Sequence, residues 1–87
     1  MLEKYNQLKS MLSVKYNISA FDDLSITEEY FIVDTNKENI CISVFAEENN
    51  FEIIIEEKKE EDWELIESKK YKNVKSAYNF IKKFLED

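Results

Sequence analysis

The chain has 87 residues, of which 44% are hydrophobic and 36% charged, and a formal net charge of −7. That length supports one hydrophobic core and not two, and the apolar content is too high for a disordered segment, so residues 1–87 read as a single domain. It contains no His, Gly, Pro or Arg, and Cys41 is its only thiol.

These absences narrow the functions available. Without His, the commonest general base and metal ligand is missing. Without Gly, neither a glycine-rich phosphate loop nor a nucleophile elbow can be built. Without Arg, bidentate recognition of phosphate or carboxylate is lost. Codon bias toward A and T explains the same gaps, since Gly, Pro and Arg have GC-rich codons, but the missing chemistry stays missing. Cys41 has no partner for an intrachain disulfide and reads as a small buried strand residue. No run nears the ~18 apolar residues of a membrane span. The opening residues carry Glu3 and Lys4 and no apolar stretch of leader type. The expectation is an intracellular, cytoplasmic protein with no membrane partner.

In chain order, residues 1 to about 15 read as a helix, because Leu2, Tyr5, Leu8 and Leu12 recur at three-to-four spacing with Met1 and Met11 beside them. Residues 17–25, rich in Asn, Asp and Ser, read as a connection. Four strands are expected next. Residues 28–34 contain the β-prone run Tyr30, Phe31, Ile32, Val33. Residues 40–47 alternate Ile40, Ile42, Val44, Ala46 against Cys41, Ser43, Phe45. Residues 51–57 alternate Phe51, Ile53, Ile55 against Glu52, Ile54, Glu56. Residues 63 to about 70 set Trp63 and Leu65 against Glu64 and Ile66. Residues 34–39, 47–50 and 58–62 read as turns, with Asn49 and Asn50 suited to the left-handed backbone that Gly usually supplies. Connections this short cannot make parallel crossovers, so the sheet should be an antiparallel meander. Asn73 is placed to cap a last helix, striped by Val74, Ala77, Tyr78, Ile81, Phe84 and Leu85. The predicted fold is α+β and two-layered: a four-stranded antiparallel meander with an N-terminal and a C-terminal helix, in the order α-β-β-β-β-α. Phe51, Ile53, Ile55, Trp63 and Leu65 should face the helices.

Charge is distributed unevenly along the chain. Residues 47–67 hold ten acids against Lys58 and Lys59, net −8, whereas residues 68–85 hold six lysines and no acid. A charge run is ordinarily a solvated surface. Here, however, Glu52, Glu56 and Glu64 are expected on one sheet face with Ile54 and Ile66, where like charges across strands cost stability. Glu60, Glu61 and Asp62 fall on the adjoining turn. Those eight residues form the predicted partner-binding surface, a negative face that would steer a basic partner. Exposed Ile54 and Ile66 could seed its apolar centre, though core packing under a helix explains them as well. Trp63 reads as core rather than anchor. The acids at 60–62 lack the spacing of a calcium loop, and no metal or cofactor site is expected. Lys69, Lys70, Lys72 and Lys75, with Tyr71 and Tyr78 nearby, suggest nucleic-acid contact, but a net charge of −7 opposes direct binding.

In size, acidity and lack of a catalytic set, the chain resembles small acidic inhibitors of nucleic-acid-handling proteins, such as anti-CRISPR proteins and other phage-encoded DNA mimics. The likeness covers composition and size, and no residue role carries over from it. Toxin-neutralising immunity proteins share the same profile. The reading is thus a non-enzymatic module that binds a basic protein surface. The alternatives are an immunity protein or a structural, self-associating domain that forms a homodimer.

Overall fold

Seven elements follow one another in the computed structural model, which describes residues 2–21, 29–35, 37 and 39–86. They are helix α1 (Leu2–Ser13), strands β1 (Ile18–Phe21), β2 (Glu29–Val33), β3 (Ile40–Ala46), β4 (Phe51–Lys59) and β5 (Asp62–Tyr71), and helix α2 (Val74–Glu86). The chain is α+β, and its sheet is an antiparallel meander in the order β1-β2-β3-β4-β5.

The sheet has five strands rather than four. The extra strand, β1, lies in the stretch expected to be a connection, and it pairs Ile18 with Val33 and Phe21 with Tyr30. The Asp34 N–H donates to the Asn17 carbonyl at 2.9 Å and carries this ladder one step farther. Four residues are too few for a period-two pattern to stand out, and pairing with β2 supplies what local sequence does not. The rest of that predicted connection, residues 22–25, lies outside the described residues, as do Met1 at the start of the predicted first helix, Glu28 at the edge of the predicted strand, and Asn36 and Glu38 in the turn that follows it.

The helices form where apolar stripes require them. In α1, Tyr5, Leu8 and Leu12 are fully buried; in α2, Ala77 and Ile81 are. They close over Phe31 and Val33 of β2, Ile42 and Val44 of β3, and Phe51, Ile53 and Ile55 of β4, which make one core. Cross-strand partners share a face, so the pairs Phe31–Val44, Ile42–Ile55 and Val44–Ile53 fix this as the inner face. Burying each such side chain is worth roughly 1.5–3 kcal/mol. Asn73 caps α2 as expected: its side-chain oxygen accepts from the Lys75 N–H at 2.8 Å and the Ser76 N–H at 3.2 Å. At the other end, Lys37 donates to the Phe84 carbonyl at 3.4 Å, a cation placed at the negative pole of the helix.

With no glycine in the chain, two of the described residues take left-handed backbone: Asn39 at φ 66° and Glu60 at φ 58°. The expected left-handed position at Asn49 and Asn50 is not among them. That turn closes instead through the Glu47 N–H, which donates to the Asn50 carbonyl at 2.8 Å. Among the described residues, no helix is long and apolar enough to cross a membrane.

Candidate functional site

The β4–β5 hairpin determines where every predicted partner-binding residue sits. Lys59 pairs with Asp62, so only Glu60 and Glu61 form the loop, and both strands run farther than expected. From that tight turn, Lys58 faces Trp63, Glu57 faces Glu64, and Glu56 faces Leu65. The next pair is Ile55 with Glu67. Ile66 therefore has no partner on β4; it is the extra residue of a β-bulge.

This register overturns the expectation that Trp63 and Leu65 point at the helices. Their partners Lys58 and Glu56 belong to the outer face of β4, so Trp63 and Leu65 lie there too, 50% and 59% exposed. It also separates Glu64 from Glu52 and Glu56. Glu64 stands opposite Glu57 on the helix side of the sheet, beyond the core. The bulge reconciles two demands: the two-residue turn sets one phase, while Tyr71 must face inward to pack on Phe80, with ring centroids 5.6 Å apart. An unbroken ladder would put Tyr71 on the wrong face, because a one-residue slip exchanges the faces.

The outer face is left uncovered by any described element. Its middle row runs Ser19, Ile32, Ser43, Ile54, Ser68 across all five strands. A second row places Tyr30 beside Phe45, their rings stacked 5.0 Å apart, then Glu52 and Lys70. Glu56, Leu65, Lys58 and Trp63 complete the surface toward the hairpin tip. Cys41, expected to be buried, is only half-buried on this face, with its Sγ 3.8 Å from the Ser43 Oγ.

Of the eight predicted residues, the structure brings Glu52, Ile54 and Glu56 together on the outer face. It places Glu60, Glu61 and Asp62 at the hairpin tip, Glu64 on the opposite face, and Ile66 in the bulge at 48% exposure. Part of the acidic charge is compensated. The Lys70 Nζ lies 3.4 Å from Glu47 and 3.6 Å from Glu52. The Lys59 Nζ lies 3.1 Å from Glu64 and 3.8 Å from Glu57, and so relieves the facing pair of carboxylates. These partners raise both lysine pKa values, through Glu64 and then Glu57 at Lys59, and through Glu47 and then Glu52 at Lys70. Both lysines are solvent-exposed, where such pairs are worth little. Glu56, Glu60, Glu61 and Asp62 take part in no ion pair among the described residues.

What sequence reasoning missed here is the exposure of Trp63 and Leu65 beside the expected Ile66. Val14, Trp63, Leu65 and Ile66 are the large apolar residues most exposed among those described, and three of the four lie together in β5. The signal was present in the phase of that strand. Trp63, Leu65 and Tyr71 share odd numbering with Glu67 and Lys69, and two charges in a supposedly buried phase mark a break. Among the described residues, no three carboxylates or thiols converge to hold a metal ion, Glu60, Glu61 and Asp62 included. A depression between the helices, with Lys4 and Lys75 in its lining, contains none of the predicted residues. No family model, curated protein or solved structure matches the chain.

Proposed function

We propose that this protein is a non-enzymatic binding module that docks the outer side of its β4–β5 hairpin onto a basic protein surface. The observation that carries the reading is the exposure of Trp63, Leu65 and Ile66 next to three acids, Glu60, Glu61 and Asp62, that have no ion-pair partner among the described residues. Tryptophan on a strand surface is the kind of side chain that anchors interfaces. Ile54 and Leu65 supply an apolar centre beside it, and Glu56 with the tip acids supplies a charged rim. The tip acids steer a cationic partner, and the apolar centre holds it. In this reading the partner handles nucleic acid, since such proteins carry the most basic folded surfaces, and the module inhibits it in the manner of an anti-CRISPR-like nucleic-acid mimic. A toxin-neutralising immunity protein would use the same surface.

Proteins captured from the native host by the wild-type chain, by Trp63→Ala and by the triple variant Glu60→Lys, Glu61→Lys, Asp62→Lys test this. The expected result is a basic protein held by the wild type alone and released as salt rises toward ~1 M, where the screening length falls to about 3 Å. Competition by duplex DNA would identify a nucleic-acid groove as the target; a partner indifferent to DNA would favour the immunity reading. Equal capture by all three chains would end the proposal.

A further inference from the structure

Strand β5, of ten residues, is one edge of the sheet, and among the described residues no strand pairs with its free side. Edge strands are ordinarily blunted by shortness, by charge or by a covering element. Here the half nearest the hairpin carries Trp63, Leu65 and Ile66, all exposed, interleaved with Asp62 and Glu64. The other half carries Lys69 and Lys70.

We infer that β5 pairs antiparallel with β5 of a second copy of this chain about a two-fold axis, joining two five-stranded sheets into one of ten strands. The charge pattern identifies the occupant. Asp62 and Glu64 stand toward the hairpin and Lys69 and Lys70 toward the other end, with Glu67 beside the bulge between them, so the two ends of the strand are acidic and basic. Antiparallel pairing lays each end against its complement. The bulge fixes the register. Asp62, Glu64, Glu67, Lys69 and Tyr71 lie on the helix side, and Trp63, Leu65, Ser68 and Lys70 on the outer side. Only an alignment with its axis between Ile66 and Glu67 keeps sides matched while setting Glu64 against Lys69 and Trp63 against Lys70. An unbulged strand could not match its faces in that alignment, because the paired positions differ by odd steps.

The local charges fit this alignment. Glu57 and Glu64 share the one cation Lys59, which leaves a carboxylate in excess at that end. Lys69 has no ion pair among the described residues. Each copy thus offers an excess of carboxylate at Glu57 and Glu64 and an uncompensated Lys69, and the two-fold axis brings Glu64 and Lys69 together twice. The pairing consumes the backbone edge and leaves the outer face open, so it does not compete with the partner surface proposed above.

Sedimentation equilibrium of the full chain tests this, with the folded state of each variant checked by circular dichroism. The wild type should sediment at twice its 10.5 kDa mass. Lys69→Glu should weaken the dimer ~10-fold or more, because two attractive cross-strand pairs become repulsive. The double variant Glu64→Lys, Lys69→Glu restores complementarity with the signs exchanged and should recover the dimer. A monomeric wild type, or a dimer that Lys69→Glu leaves unchanged, overturns the inference; so does a folded double variant that stays monomeric. Since Lys69→Glu keeps Trp63 and the tip acids, loss of the dimer with partner capture intact would leave the proposed function standing.

Discussion

Glu60 offers a direct test of how this chain turns without glycine. Its φ of 58° lies in the left-handed region, in a loop of only two residues between Lys59 and Asp62. That backbone costs an L-residue roughly 1–2 kcal/mol, because Cβ crowds the following carbonyl. Glu60→Gly removes the clash but adds freedom to the unfolded chain, which takes back about 0.5–1 kcal/mol. The net expectation is a gain of about 0.5–1 kcal/mol, or ~2–8 °C in Tm for a domain of this size. Glu60→Asn should gain less, and Glu60→Ala separates backbone from charge. Alanine deletes the same carboxylate but keeps Cβ, so it should leave stability within about 0.5 kcal/mol of the wild type. Urea and thermal denaturation followed by circular dichroism supply the comparison. If Gly and Ala stabilise equally, acid repulsion at the tip is the cause and the backbone argument fails. If Gly destabilises, the turn is not the strained element.

Two further outcomes follow from local contacts. Asn73→Ala should cost about 1 kcal/mol in urea denaturation, since it orphans the Lys75 and Ser76 amides at the start of α2; Asn73→Ser or Asn73→Asp should recover most of that. Alkaline pH should weaken the fold through Lys15, Lys59 and Lys70, whose pKa values lie above the ordinary 10.5 in the folded state, and through Tyr16, raised above 10.0 chiefly by burial. A folded-state pKa above the unfolded one means that the folded chain holds more protons in between. The associated stability is complete below those ordinary values and is lost as pH rises through the folded ones. The urea midpoint should therefore hold level from neutral pH to about 9 and decline above ~10; a midpoint that rises across that range contradicts the assignment.

Much of the fold was legible because most elements obey one period. Tyr5, Leu8 and Leu12 in α1, Ala77 and Ile81 in α2, and Phe51, Ile53 and Ile55 in β4 occupy the buried positions their spacing predicts. The Asn73 cap was readable because a side-chain acceptor stood just before an apolar stripe. Strand β1 was not, since its four residues hold together through partners on β2 rather than through pattern. The candidate site was the least legible part for a related reason. The bulge at Ile66 shifts the ladder by one residue, and that shift sends Glu64 across the sheet and brings Trp63 and Leu65 out of the expected core. The ion pairs that temper Glu52 and Glu64 also depend on that register, so net charge by segment overstated the acidity of the outer face.

The meander carries a consequence for how the chain closes. Every strand pairs only with its neighbour in sequence, so the sheet alone could zip up through short loops. The helices do the opposite. Lys15, just past α1, meets Glu86 at the end of α2 across 71 positions, at 3.2 Å. Closing a loop of that length costs about 4 kcal/mol of chain entropy, with slow dependence on its size. The gain comes from Tyr5, Leu8, Leu12, Ala77 and Ile81 joining Val44 and Ile53 in one core. A locally wired sheet thus shares its inner face with two helices that lie far apart in sequence.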